Sequence, residues 1–379
     1  MRQYEFEGLN LFRGEGIPVP DYTLAASPQE AREKAQEIGL PVVVKAQVLT
    51  GGRGLAGGVK TAESLDQVEE VTRHILGLSI RGYPVHNVMV TRKVEVAQEY
   101  YLGITIDEYS GTPVAILSTA GGVNIEKTTG AHPKSVVSRH IPTIKGILPD
   151  AQQMAREAGL HGEDLVQVAT ILRNLYSVFC KYDTLVAEIN PLVRTLRGTY
   201  LALDAKVEID DSSLYRHPEF QIDRADRISN PLERKGWQIG VTYVELNGDI
   251  GIIASGAGLG MATMDIVSRK LRPANFLETG GAITADLMYQ AMDLVLQKKG
   301  IRAIFINIYG GINPIHEGAK GVVRYIKEHG ITIPIVAKAL GNYQEETREI
   351  FKKAGVTVVT DVSTENGIEQ LIHVLEREP

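Results

Sequence analysis

From Ile250 onward, short runs of Ile, Val, Leu and Ala alternate with longer stretches in which apolar residues recur every three or four positions. The short runs predict strands at Ile250 to Ala254, Asn275 to Leu277, Ile301 to Ile308, Ile333 to Leu340 and Val356 to Thr360. The longer ones predict helices over Leu259 to Lys270, Ala285 to Lys299, Gly318 to His329, Tyr343 to Ala354 and Glu365 to Glu376. Asn342 followed by Glu345 predicts a capping box at the head of the fourth of these helices. Lys352, Lys353 and Gly355 suit its end, where the macrodipole favours cations and a left-handed residue closes the last turn. Near-continuous apolar strands alternating with amphipathic helices imply an α/β parallel sheet covered on both faces, with ligands at the carboxyl ends of its strands.

The first 235 residues follow a less regular, α+β pattern. Ser27, Pro28 and Glu30 form an N-cap, a first-turn proline and a capping-box acid for a helix through Ile38, closed by Gly39. A strand follows at Pro41 to Val48. Others are predicted at Asn87 to Val90, Glu99 to Ile106, Pro113 to Ser118, Leu185 to Ile189 and Tyr200 to Val207, with a long helix over Glu163 to Phe179. Ser213 to Trp237 is rich in charge, carries Pro218 and Pro231 and has little periodicity, so it reads as the connection between two domains, 1–235 and 236–379.

Charge and composition narrow the function. The 379 residues carry 40 Lys and Arg against 46 Asp and Glu, a net charge of −6, which argues against nucleic-acid binding by phosphate neutralisation. One cysteine, Cys180, excludes an intrachain disulfide framework, no close Cys/His cluster has zinc spacing, and a reducing, cytoplasmic setting is expected. The longest uncharged apolar run, Ile250 to Met264, is too short to span a bilayer and is interrupted by glycine, and Met1 to Gly8 has no apolar core like that of a secretory signal. The compositional excess is glycine, 38 of 379 residues, about a tenth against a usual 7% or so.

Those glycines cluster where chemistry is expected. Gly51 to Gly58 includes Arg53 and follows a strand in which Lys45 stands among Val42, Val43 and Val44. A lysine in an apolar strand, with an arginine and backbone N–H groups nearby, suits a phosphate clamp; the alternative is a solvent loop with Lys45 on a sheet edge. Glu188-Ile189-Asn190-Pro191 places Glu188 and Asn190 on one strand face by period two, and a neighbouring strand is expected to set Asp204 beside them as hard oxygen ligands for Mg²⁺; the alternative is a buried turn acid and an ordinary strand-end aspartate. In the second domain, glycine turns follow three successive strands, at Ser255-Gly256-Ala257-Gly258-Leu259-Gly260-Met261, Thr279-Gly280-Gly281 and Gly310-Gly311-Ile312-Asn313. A dinucleotide fingerprint would need glycine where Met261 stands, so the first turn reads instead as a helix start aimed at an anion, one part of a ligand-facing rim.

Taken together these motifs resemble the β subunits of ADP-forming succinyl-CoA synthetase across nearly the whole chain. The resemblance runs through Leu11-Phe12, Gly16-Ile17-Pro18-Val19-Pro20, Gly52-Arg53-Gly54, Glu188-Ile189-Asn190-Pro191-Leu192, Gly256-Ala257-Gly258-Leu259, Met264-Asp265 and Pro273-Ala274-Asn275-Phe276-Leu277. It implies an ATP-grasp domain of two lobes followed by a flavodoxin-like CoA-ligase domain, using Mg²⁺ with ATP/ADP and CoA as substrates. Lys45, Gly52, Arg53, Gly54, Thr91, Val94 and Glu99 would then contact nucleotide, and Asn190 and Asp204 would hold Mg²⁺. Ser255, Gly311, Ile312 and Asn313 would face the acid. Gly256, Ala257 and Gly258 would receive the phosphate of a phosphohistidine, with Glu188 polarising that histidine at the nucleotide site. Pro20 stands where ATP-using members carry proline, which favours adenine.

In this family the histidine belongs to an α subunit that also carries the CoA site, and none of the nine histidines here has its Gly-His-Ala-Gly context; His217 reads as structural. The chain is therefore expected to be one half of an αβ or α2β2 enzyme. It departs from the family at Ser255, at Glu278 to Ala282, and at Asn313-Pro314-Ile315-His316 on the rim, and at Leu55 and Thr91 near the nucleotide. These changes leave the acid open among succinate, malate, citrate, sulfoacetate or a similar small acid. A different enzyme reading is a stand-alone ATP-grasp ligase joining a carboxylate to an amine, which would leave the second domain without a role.

Overall fold

The computed structural model describes residues 1–121, 136–141, 150–220, 224–281 and 283–377, so Ala282 of the second glycine turn and residues 221–223 of the connecting stretch lie outside the described residues. The chain divides into two compact units, Met1–Ile222 and Asp223–Pro379.

Among the described residues the first unit contains two larger sheets and a two-stranded one. One has the order β1-β6-β2-β3, from Tyr22–Ala25, Asn87–Arg92, Val42–Gln47 and Val59–Ala62, every pair antiparallel. Helices Pro28–Ile38 and Leu65–Leu76 cover it, burying Ala31, Ala35, Val68 and Ile75 against Val42, Val44, Ala46, Val88 and Val90. Ser27 and Ser64 cap these helices, each accepting the backbone N–H three residues on. In β2 the inward set is Val42, Val44 and Ala46, so the pleat turns Lys45 to the opposite face, where an ammonium can find anions. A two-stranded hairpin, β4 (Ser79–Ile80) and β5 (Tyr83–Pro84), follows the second helix.

The other sheet runs β11-β10-β7-β8-β9, from Tyr200–Ala202, Thr184–Thr195, Val96–Asp107, Thr112–Ser118 and Val136–His140, with β12 (Lys206–Ile209) also on β10. Helix Gly162–Lys181 packs Leu172, Leu175, Tyr176 and Phe179 into one core with Leu102, Ile104 and Ile189 and with Leu9 and Phe12 of helix Glu5–Gly14. Fully burying each large aliphatic or aromatic side chain contributes about 1.5–3 kcal/mol.

The second unit is a six-stranded sheet of order β13-β15-β14-β16-β17-β18, from Thr242–Glu245, Asn275–Glu278, Ile250–Ala254, Ala303–Gly310, Ile335–Gly341 and Thr357–Val359. All its pairs are parallel except the edge strand β13, which pairs antiparallel with β15. Separate apolar cores lie on its two faces, one including Ile253, Ile304, Ile306, Met288 and Val322, the other Ile252, Phe305, Val336, Val267 and Leu371. That is the covered parallel sheet expected from the apolar runs. Along part of β14 and β15 the ladder is replaced by a side chain: Asn275 accepts from Ile252 N–H and donates to Ile252 C=O.

Two expectations need correction, and several elements went unpredicted. Tyr200 to Val207 is not one strand: residues 203–205 interrupt it, Leu203 N–H donates to Pro191 C=O, and Asp204 turns out to an ion pair. Asn342 and Glu345 form no capping box. Tyr343 is the N-cap residue, in a left-handed conformation with no side-chain cap bond, because Asn342 donates to Ile312 C=O while Gln344 Oε1 accepts from Gly341 N–H and Glu345 pairs with Arg348. The Ser213 to Trp237 stretch, read as the connection, also holds a helix, Pro231–Gln238, capped by Asn230 and packed on β13 and helix Ala285–Gln297. Its N-cap and first-turn proline were readable, but high charge hid the periodicity. Finally, helices Glu5–Gly14 and Leu65–Leu76 and strand β13 were not predicted at all.

Candidate functional site

Lys45, Arg53 and Asp204 converge although they are far apart in sequence. Lys45 Nζ donates to Leu203 C=O at 2.5 Å, and Arg53 Nη2 meets both Asp204 carboxylate oxygens at 2.8 Å. Between the two cations stands Glu5, a residue that sequence reasoning missed. Its carboxylate is almost wholly buried, accepts from Lys45 Nζ at 2.8 Å, pairs with Arg53 Nη1 through the other oxygen, and accepts from Gln47 Nε2 at 3.3 Å.

Glu5 opens helix Glu5–Gly14, where the macrodipole also favours a negative charge. Burial alone would raise its pKa, but Arg53 and Lys45 outweigh it and hold Glu5 below the usual carboxylate range. Burial would likewise lower Arg53, and Asp204 and Glu5 reverse that, keeping the guanidinium protonated. The four groups make a locally neutral run of ion pairs, Lys45–Glu5–Arg53–Asp204, two cations and two anions.

The glycine loop leaves β2 beside this run of ion pairs. Ala56, Gly57 and Gly58 N–H groups bond within the loop, to Gly52, Gly54 and Arg53 carbonyls, and Ala46 N–H returns to Gly58 C=O. Among the described residues, the backbone N–H groups of Gly51 to Leu55, which include the predicted Gly52 and Gly54, donate no hydrogen bond.

Glu188 and Asn190 lie in β10, whose register against β7 shifts between Ile189 and Leu192. Glu188 is mostly buried and pairs with Lys206 Nζ at 3.4 Å, and Asn190 precedes a cis peptide to Pro191. The Leu203–Pro191 hydrogen bond brings the Asp204 segment against this stretch. Among the described residues no three or more His, Cys, Asp or Glu converge as a metal site. An amide oxygen with one carboxylate suits a hard cation that takes its remaining ligands from phosphate and water. Of the other predicted nucleotide contacts, Thr91 is buried in β6 and donates to Asp21 C=O at 2.8 Å, half-buried Val94 joins β6 to β7, and half-buried Glu99 lies in β7 opposite Val193.

In the second unit the rim is mostly backbone, with one carboxylate on it: Glu278 accepts from Gly280 N–H at 2.9 Å. Gly256, at φ +92°, opens helix Ala257–Ser268, with Ala257 and Gly258 exposed at its first turn. The Ser255 hydroxyl is satisfied on both sides by Tyr309, accepting from its N–H at 2.8 Å and donating to its C=O at 3.1 Å, so it ties the end of β14 to that of β16. Gly311 and Ile312 are exposed and Asn313 is half-buried. A fourth glycine, Gly341 at the end of β17, was missed: its φ is +106° and a Cβ there would lie 2.2 Å from Gly310 O. Beneath the rim, buried Lys338 donates to Asn307 Oδ1 and Thr364 Oγ1, and Asn307 donates to Thr263 of the first helix. His217 belongs to neither site; its ring nitrogens meet Asp183 at 2.7 Å and Glu219 at 3.2 Å, a structural role.

Residues 2–194 match the ATP-grasp domain, and residues 253–371 match the CoA-ligase domain. That pair, in that order, defines a nucleotide-dependent acid–thiol ligase subunit. The succinate–CoA ligase [GDP-forming] subunit β of Thermus thermophilus is 41% identical over 354 residues, 93% of each chain. The [ADP-forming] subunit β of Rubrobacter xylanophilus is 40% identical, over 91% of each, and that of Natronomonas pharaonis 38%, over the full length of both. The chain belongs to the succinate–CoA ligase β-subunit family. Its fold is also that of the ATP citrate lyase from Methanothrix soehngenii, with a TM-score of 0.73 at 18% identity, covering 100% of this chain and 99% of that one.

Proposed function

We propose that this chain is the nucleotide-binding β subunit of an ADP-forming acid–CoA ligase, working with an α subunit that carries the phosphohistidine and the CoA site, as an αβ or α2β2 assembly. The observation that carries this reading is the convergence of Lys45, Arg53 and Asp204 beside a glycine loop within an ATP-grasp domain. The phosphate would pass from ATP to the partner's histidine, then to the acid, and CoA would displace it from the acyl phosphate.

In this reading Lys45 and Arg53 take the nucleotide's phosphate oxygens, Arg53 exchanging Asp204 for phosphate, while Glu5 stays as their fixed counter-ion. Asn190 and Asp204 would hold Mg²⁺, which when bound neutralises and orients phosphate oxygens. Glu188 orients and polarises the visiting imidazole. The helix end at Gly256 to Gly258 offers N–H groups and a positive dipole to the phosphate on that histidine. The acid is small and carboxylic, succinate or a relative of it, facing Ser255, Gly311, Ile312 and Asn313. No helix among the described residues is long and apolar enough to cross a membrane, and the free Cys180 suits the cytoplasm.

The test uses the full chain alone and with its α partner. Alone it should bind Mg-ATP, more tightly than Mg-GTP, by calorimetry and form no thioester. With the partner it should form acyl-CoA from one member of a panel of succinate, malate, citrate and sulfoacetate. Thioester formation by the lone chain would overturn the division of labour. Glu188→Gln should slow phosphate transfer to the partner's histidine by about 10²-fold with Mg-ATP affinity retained; unchanged transfer removes Glu188 from the mechanism.

A further inference from the structure

The glycine loop rests on the β4–β5 hairpin, which has no part in the site as described so far. Two of its side chains reach the loop. Ile80 is buried against Gly58, where a Cβ would lie 2.7 Å from Ile80 Cδ1. The Arg81 guanidinium lies over Gly52, where a Cβ would lie 3.2 Å from Nη2 and 3.4 Å from Cζ, so any side chain at position 52 would crowd it.

Arg81 occupies the first central position of the hairpin turn at φ +51°, followed by Gly82 at φ +85°. Two successive positive φ values mark the mirror-image turn that suits right-twisted strands, and its first position is normally Asn, Asp or Gly. A long side chain held left-handed is strained, and such strain is retained where the residue's placement matters to function. Among the described residues nothing accepts a hydrogen bond from this guanidinium, and it is exposed.

Charge balance sharpens the point. Lys45 and Arg53 are matched by Glu5 and Asp204, and Lys206 is matched by Glu188, so the side chains already in the site carry no net positive charge toward an incoming polyphosphate. Among the described residues no carboxylate pairs with Arg81, whose guanidinium lies at the loop. We infer that Arg81 is a further phosphate-binding residue of the nucleotide site, its guanidinium taking phosphate oxygen at Gly52. The inference rests on the nucleotide reading proposed for this site.

The experiment measures Mg-ATP and tripolyphosphate binding to the full chain by calorimetry, for wild type, Arg81→Ala, Arg81→Lys and Arg81→Gly, with thermal melts of each in the absence of ligand. Arg81→Ala should weaken both ligands by about tenfold or more, the scale of a lost charge-assisted contact, and Arg81→Lys should recover part of that. Arg81→Gly should bind as weakly as Arg81→Ala yet melt at or above the wild-type temperature, since glycine adopts the left-handed turn without strain. Binding within twofold of wild type in Arg81→Ala overturns the inference and leaves the nucleotide reading standing. A melting temperature lowered by several degrees in Arg81→Gly also overturns it, by showing a structural brace. A wild-type chain that binds neither ligand removes the nucleotide reading and Arg81's role with it.

Discussion

The charged cluster proposed as the nucleotide site of the first unit and the glycine rim of the second are both suited to phosphate, yet they are made of different parts. In the first, Lys45, Arg53, Glu5 and Asp204 place formal charges on side chains drawn from a helix, a strand, a loop and an inter-strand segment. In the second, the groups offered are main-chain N–H donors at a helix start, held by glycines and by the Ser255–Tyr309 hydrogen bonds, with the Glu278 carboxylate on Gly280 N–H at the neighbouring turn and Lys338 buried in β17. Side-chain ions can exchange partners, as Arg53 would in the proposed reading, giving up Asp204 for phosphate. Backbone dipoles cannot move and carry no counter-ion to displace. A site that must accept and release a nucleotide with its cation is served by the first construction, and a site that must hold a phosphate briefly in one place is served by the second.

This contrast can be broken by opposite kinds of substitution. The largest effect is expected from Glu5→Ala, which leaves two buried cations with only Asp204 between them. Removing one partner of a buried pair costs about 3–5 kcal/mol, read as a lower midpoint in urea unfolding of the full chain. A loss below about 1 kcal/mol would mean that Lys45 and Arg53 find other anions or water, and the run of ion pairs is then not a unit. At the rim, harm should come from adding atoms. Gly341→Ala meets both the positive φ and the Gly310 carbonyl, and the backbone conformation alone accounts for roughly 1–3 kcal/mol; an unchanged melting temperature would show that the end of β17 yields easily.

The smallest effect concerns Lys338. Burial lowers its pKa below the ordinary 10.5, opposed by Asp361 and Glu365. Between its folded value and 10.5 the unfolded chain therefore binds more protons than the folded one, so stability rises with pH across that window. The wild type should gain on Lys338→Met as pH is raised from neutral toward 10.5, in paired denaturant melts. A difference that stays flat or reverses would show that the ammonium is not desolvated.

Much of the second unit was legible because its periodicity is local. All five of its parallel strands and the five helices between and after them lie where the apolar runs put them, within a few residues at the ends. Its antiparallel edge, β13, was not legible: Thr242–Glu245 has only two apolar residues, adjacent Tyr243 and Val244, too few to stand out from a turn. In the first unit, Ser27, Pro28 and Gly39 marked a helix correctly, while Tyr4 to Phe12 passed as a terminus because Glu5 and Glu7 obscured Leu9 and Phe12. Lys45, Arg53 and Asp204 stood out as chemistry. Glu5 did not, since nothing within its own neighbourhood shows that its partners stand 40 and 48 positions away.

By itself the sequence determined the alternation of strand and helix, the family, and the residue types at the phosphate-suited positions, since each depends on spacing along the chain or on contiguous motifs. Only the tertiary structure decided that Arg53 is shared between Glu5 and Asp204, that Ser255 serves Tyr309, and that Arg81 lies over Gly52. Those are pairings between distant segments, and which charges meet depends on how strands register and loops return, quantities that no local pattern of hydrophobic and polar residues encodes.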